Sequence, residues 1–156
     1  MRDEEFMRLA IEKAREGIGE GQLPFGACLV RDDRVVSCEH NSVYGLNDAT
    51  AHAEVRAIRT ACKALGTIDL TGCMIYSTTE PCPMCFGACH WSRISKIVYG
   101  TEIADVRNLG FSELMIPNEE MKRVGGSPVE IVGGFMREEN VALLREWVSR
   151  GLSGPY

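Results

Sequence analysis

The stretch T-A-H-A-E-V, residues 50–55, sets His52 two places before Glu54, and further along E-P-C-P-M-C, residues 80–85, carries Cys82 and Cys85 in C-x-x-C spacing. Cysteines three residues apart at a helix start share one face and can hold one ion, and a helix N-terminus favours the thiolate. Two thiolates and the imidazole of His52 make three protein ligands, which for zinc is the count of an open, catalytic centre; a closed structural centre has four. Glu54 cannot readily ligate the same ion, because residues i and i+2 of a helix do not face each other. In the first turn it stands beside the ion, within reach of a water that the ion polarises, where it can take a proton and hand it to a substrate. Two thiolates already cancel the charge of Zn²⁺, so the proton lost by that water needs a nearby carboxylate to receive it. The same residues also suit a structural zinc centre completed by Cys28, Cys38, Cys62, Cys73 or Cys89, in a binding module without turnover. Each of those five cysteines reads as a small core residue rather than a ligand.

Such a centre requires two helix starts to meet, and the rest of the chain supplies the elements. Residues 3–18 space Phe6, Leu9, Ala10, Ala14 and Ile18 as one helical face, with acids in the first turn and Gly17 and Gly19 at the end. P-F-G-A-C-L-V and R-V-V-S-C-E-H flank R-D-D-R, the pattern of a β-hairpin. A second helix is expected from Asp48 or Thr50, either a good N-cap, through Leu65 to Gly66, with Ala53, Ala57, Ile58 and Ala61 on one side. G-C-M-I-Y-S-T reads as a strand, Pro81 and Pro83 open a helix running to about Trp91, and K-I-V-Y-G is another strand. Beyond Asn108 the signals thin to a last strand at Val129 to Val132 and a closing helix, R-E-E-N-V-A-L-L-R-E-W-V. This alternation calls for an α/β fold: a mixed sheet with at least one parallel pair joined by a crossover helix.

A chain of 156 residues suits one domain with one core, and 45% hydrophobic with 25% charged residues is ordinary for a soluble globular protein. No segment approaches the ~18 consecutive apolar residues of a membrane-spanning helix. M-R-D-E-E-F lacks the features of an export signal, so a cytoplasmic location with reduced thiols is expected. A net charge of −5 gives no field that would draw a polyanion, which speaks against a nucleic-acid partner.

The chain resembles the cytidine deaminase superfamily, on P-F-G-A at Pro24 to Ala27, Asn41, T-A-H-A-E at Thr50 to Glu54, and E-P-C-P-M-C followed by Gly87 and Ala88. H-x-E with P-C-x-x-C is the signature of zinc nucleobase deaminases. Within the superfamily it is similar to the purine branch, which holds bacterial guanine deaminases and tRNA adenosine deaminases. The resemblance implies a three-layer α/β/α fold with a central mixed sheet of about five strands, one Zn²⁺ per subunit held by His52, Cys82 and Cys85, and a homodimer. It further implies that Glu54 carries protons and that Phe25, Asn41, Ala53, Trp91 and Tyr156 contact the base, with His52 and Phe25 bracketing its ring.

Phe25, P-M-C after Cys82, Trp91 in H-W-S-R, and Tyr156 resemble guanine deaminases more than tRNA editors; in such enzymes the tail bearing the final tyrosine closes over a partner subunit's site. The chain departs from that branch in D-A-T for D-P-T and G-F-S-E for G-F-D-D, which makes Glu113 the candidate second catalytic acid. Read without the resemblance, Phe25 and Trp91 also suit core aromatics, Asn41 a strand-closing residue, and Glu113 a solvated loop acid. The expected activity is zinc-dependent hydrolytic deamination of guanine or a related aminopurine base or nucleoside. The alternatives are a tRNA adenosine deaminase and a cytosine or cytidine deaminase.

Overall fold

A computed structural model describes residues 2–151 and Tyr156. The apolar strand β1 (Gly26–Arg31) turns back through Asp32 and Asp33 into β2 (Arg34–His40). Both aspartates have positive φ, 50° and 57°, the backbone handedness that a two-residue hairpin turn demands and that aspartate tolerates. β3 (Cys73–Thr79), β4 (Lys96–Thr101) and β5 (Glu130–Val132) complete a five-stranded sheet in the order β2-β1-β3-β4-β5. The β2-β1-β3 pairings are antiparallel and the β3-β4-β5 pairings parallel, as expected for a mixed sheet with a crossover helix.

Alternation along the strands divides the core in two. Cys28, Val30, Tyr76 and Val98 point to one face and pack with Phe6, Met7 and Ala10 of α1 (Arg2–Gly19) and Leu143, Leu144 and Trp147 of α7 (Arg137–Ser149). Ala27, Leu29, Ile75 and Ile97 point to the other, where they meet Ala53, Ala57 and Ala61 of α3 (Ala53–Leu65) and Phe86 and Cys89 of α4 (Pro83–Trp91). The result is the three-layer α/β/α arrangement. No described helix is long and apolar enough to cross a membrane.

The local departures from the sequence reading have identifiable causes. The second long helix begins at Ala53, not at Asp48 or Thr50, because Asp48 Oδ1 accepts from both the backbone N–H (2.8 Å) and the hydroxyl (2.7 Å) of Thr50 and closes a turn there. Three short helices went unread: α2 (Val43–Leu46), α5 (Ile103–Arg107) and α6 (Asn118–Gly125). Each has eight residues or fewer, too short to be stable as an isolated helix, so tertiary contacts decide it.

The register puts the functional ends together. Gly26 pairs with His40 and Ala27 with Ser77, so the start of β1 and the ends of β2 and β3 share one edge of the sheet, and Thr79 beside Thr101 adds the end of β4. Gly26 is where α1 lies closest to the sheet: a Cβ there would sit 2.1 Å from the carbonyl oxygen of Ala10. Gly26→Ala must push the helix backbone off the strand, and we expect it to lower stability by about 2–3 kcal/mol, read as a lower urea midpoint at unchanged slope.

Candidate active site

Both chemically distinctive stretches fold as the first turn of a helix. His52 is the N-cap of α3, in extended conformation (φ −66°, ψ 153°), and Cys82 is the N-cap of α4 in nearly the same conformation (φ −62°, ψ 167°), followed by Pro83 at the position where its missing N–H costs nothing. The right-handed β3-α4-β4 crossover must start α4 at the end of β3, and α3 starts at the same edge after β2 and α2. The two N-termini therefore converge, each contributing partial positive charge that favours thiolates.

His52 Nδ1 lies 3.5 Å from Cys82 Sγ and 3.5 Å from Cys85 Sγ. Ligands at the usual Zn–N and Zn–S lengths in a tetrahedron stand about 3.5 Å apart, so these residues fit the ion implied by their chemistry. Among the described residues, no further histidine, cysteine or acid joins this group within 4.8 Å, and the donor set is three, leaving one position open. The five other cysteines are free thiols elsewhere, which leaves the closed structural centre without a fourth ligand.

Before an ion binds, the two thiols differ sharply. A hydrogen bond from Cys85, opposed by burial and reinforced by His52, draws Cys82 down to about 4. Burial, with the neighbouring Cys82, pushes Cys85 well above the ordinary thiol range. For His52, burial acts to lower the value, and contact with Cys82 and the charge of Glu54 outweigh it, raising the imidazole.

Glu54, second in α3, points away from the solvent side into the interior and is only 6% exposed. Burial raises its carboxyl, against the pull of His52, which is the direction a group must move to hold a proton between steps near neutrality. The hydroxyl of Ser77, on β3, donates to Glu54 Oε1 at 2.7 Å and fixes the carboxylate below the ligands.

Around this centre is a cavity of about 300 Å³ lined by Phe25, Asn41, Ala53, Phe111, Glu113 and Tyr156, among others. Phe25 stands edge-on to Phe111, centroids 5.4 Å apart. Asn41 is buried and its Oδ1 accepts from the N–H of Val43 at 3.1 Å, so it both closes β2 and faces the cavity. Glu113 faces the cavity, and burial, with the negative Cys82 adding, pushes its carboxyl up to about 7. Tyr156 enters the cavity of its own chain: its hydroxyl meets His52 Nε2 and donates to the carbonyl of Ala49 at 2.9 Å.

Trp91 does not join the group in this chain. It ends α4, a nine-residue helix whose start carries the ligands, and a helix of that length sets it about 13 Å away. There it is 83% exposed, stacked edge-on to His90 beside a separate surface depression.

Sequence reasoning passed over two residues. Ser77 lies within an apolar strand and carries no signal of its own. Glu80 is 5% exposed and accepts from the backbone N–H of Ile103 at 3.0 Å and of Asn118 at 2.8 Å, the first residues of α5 and α6. It thereby caps two helices from the residue that leads into the metal-binding turn. An acid two positions before Cys82, at the end of an apolar strand, was the available hint.

A three-ligand centre at paired helix starts, with a buried carboxylate beside it at the carboxyl edge of an α/β sheet, defines a zinc-type hydrolytic enzyme. Residues 1–101 match the cytidine and deoxycytidylate deaminase zinc-binding region, and the chain belongs to that deaminase family. It is 43% identical over 120 residues to the guanine deaminase of Bacillus subtilis, covering 76% of this chain and 77% of that one. It is also 43% identical over 137 residues to the tRNA-specific adenosine deaminase of Bacillus subtilis, covering 88% and 83%. A solved structure of a mutant protein in complex with 8-azaguanine superposes with a TM-score of 0.87 at 30% identity, covering 95% of this chain and 85% of the other.

Because Cys85 holds a proton that a bound ion must displace, zinc affinity falls as pH falls. We expect a loss of about tenfold per unit from about pH 8 downward, steepening toward about pH 6 as His52 also gains a proton, measured by competition with a chromophoric chelator. Equal affinity at both ends would contradict it.

Proposed function

We propose that this deaminase removes the exocyclic amine of guanine or a closely related aminopurine, as base or nucleoside, with release of ammonia. The observation that carries the reading is the pairing of hydrogen-bonding senses in the cavity. Asn41, its Oδ1 engaged by Val43, offers an amide NH₂, while Glu113, whose carboxyl is raised to about 7, offers an acceptor in its ionised form. A guanine ring presents a carbonyl oxygen and N–H groups side by side and can use both. A cavity of about 300 Å³ with an aromatic wall at Phe25 suits one planar bicyclic base, bracketed between Phe25 and His52. The net charge of −5 supports a free base over a polyanionic RNA.

His52, Cys82 and Cys85 hold the ion, which when bound supplies Lewis-acid activation of water at neutral pH. Glu54 accepts one proton as water attacks the amine-bearing carbon and passes it to the adjacent ring nitrogen, then takes the second proton from the hydroxyl newly formed on that carbon and delivers it to the departing amine. The C–O bond forms, the C–N bond breaks, and ammonia leaves with no net change in the carboxylate. Ser77 keeps Glu54 aimed at the reacting face throughout, and burial keeps its proton affinity suited to both directions of transfer. The reading carries with it a single-domain protein, from its length, acting in the cytoplasm, from its lack of export features, and a homodimer, which the resemblance alone supports.

Two measurements test it. Ammonia release from zinc-loaded protein, assayed with guanine, guanosine, adenine, adenosine, cytosine and cytidine in parallel, is expected for guanine or its nucleoside; deamination confined to tRNA adenosine or to the pyrimidines would replace the substrate assignment. Glu54→Gln is expected to retain one zinc per chain and to lower turnover by about 10²- to 10⁴-fold. Unchanged turnover would remove Glu54 from the mechanism.

A further inference from the structure

Tyr156 makes contacts that a simple cover over the cavity would not need. His52 turns Nδ1 toward both sulfurs, so as a neutral ligand through that nitrogen it must carry its proton on Nε2. Nε2 meets the hydroxyl of Tyr156. An imidazole N–H can only donate there, which makes the phenolic oxygen the acceptor and leaves its own hydrogen for the carbonyl of Ala49, 2.9 Å away. The donors thus run in one direction, from His52 Nε2–H to Tyr156 and from Tyr156 to Ala49, with no group left holding a surplus or missing proton. The ring stands edge-on to His52, centroids 6.0 Å apart and planes at 84°. The backbone carbonyl of Tyr156 is itself tied down, accepting from the N–H of Ser112 at 3.2 Å, one residue from Glu113.

We propose that Tyr156 is a positioning residue for the metal centre, its hydroxyl locking the tautomer and ring orientation of His52 through a relay ending on Ala49. Metal-bound histidines depend on a partner at the second ring nitrogen, and among the described contacts of His52 Nε2 the tyrosine fills that place. Its placement also links the loop bearing Ser112 and Glu113 to the ligand, so one side chain reports on both walls of the cavity. This role rests on zinc occupying the His52, Cys82 and Cys85 site, and it is distinct from contact with the base.

The test is zinc retention in Tyr156→Phe, which keeps the ring and its packing against His52 and removes only the hydroxyl. Transfer of zinc from the loaded protein to excess chelator is expected to be about tenfold or more faster than in the wild type. In parallel, the side-chain Nε2–H resonance of His52, assigned by its loss in His52→Ala among the three histidines, is expected to be protected from solvent exchange in the wild type and exposed in Tyr156→Phe. Wild-type release with the resonance still protected overturns the proposal. So does acceleration in Tyr156→Ala but not in Tyr156→Phe, which would assign the effect to the ring alone. Failure of the wild type to bind zinc at all would fall on the metal site itself and be visible before the variants are compared.

Discussion

Everything at the site depends on two helices beginning at the same point. A helix start leaves backbone N–H groups without intrahelical partners and concentrates partial positive charge, an expensive arrangement to bury unless negative groups answer it. Here the answer is the Cys82 thiol, drawn down toward the thiolate, and at the neighbouring starts of α5 and α6 a carboxylate at Glu80 that takes the N–H groups of Ile103 and Asn118, with Glu102 and Asp105 capping α5. The sheet enforces the meeting: the register that pairs Gly26 with His40 and Ala27 with Ser77 brings three strand ends to one edge, and the parallel β3-α4-β4 unit has to begin its helix there. Ligands gather in such crevices beyond the carboxyl ends of strands because the chain delivers loops and helix starts to them together.

The second constraint is burial of charge in a narrow space. Glu54, Cys85 and Glu113 are all raised chiefly by burial, and of these acids and thiols Cys82 alone is lowered, so protons are held unevenly among close neighbours. A divalent cation reverses that order by holding both thiols as thiolates. Metal binding, proton release and the readiness of Glu54 are therefore parts of one equilibrium. Ser77 and Tyr156 do not alter its charge but hold Glu54 and His52 in the orientations it requires. The cavity walls are built on the same frame, since Phe25 precedes β1, Asn41 follows β2, and Glu113 lies beyond β4 and α5.

Much of this was legible from residue types and spacing. His52, Glu54, Cys82 and Cys85 announce a three-ligand centre with a separate carboxylate, because ligand chemistry restricts the residue types and helical geometry restricts which neighbours can share an ion. The hairpin, the two long helices and the crossover unit were readable because each carries its own periodicity and breakers. The start of α3 was not: Asp48 and Thr50 are both good caps, and only the turn they make with each other sends the helix start on to Ala53, leaving His52 as the cap. Had the helix begun at Thr50, His52 and Glu54 would both lie within it, two residues apart on diverging faces.

The sequence by itself determined the His/Cys/Cys donor set, the carboxylate beside it and the layered α/β plan, since these follow from local patterns of residue type and spacing. Only the tertiary structure decided which distant groups complete the site. Ser77 and Glu80 acquire their parts from β-sheet register and from helix starts more than twenty residues away, Trp91 is carried off by the length of α4, and Tyr156 is brought across the chain to His52. Such contacts join residues with no fixed separation in sequence, and packing alone brings them within hydrogen-bond range.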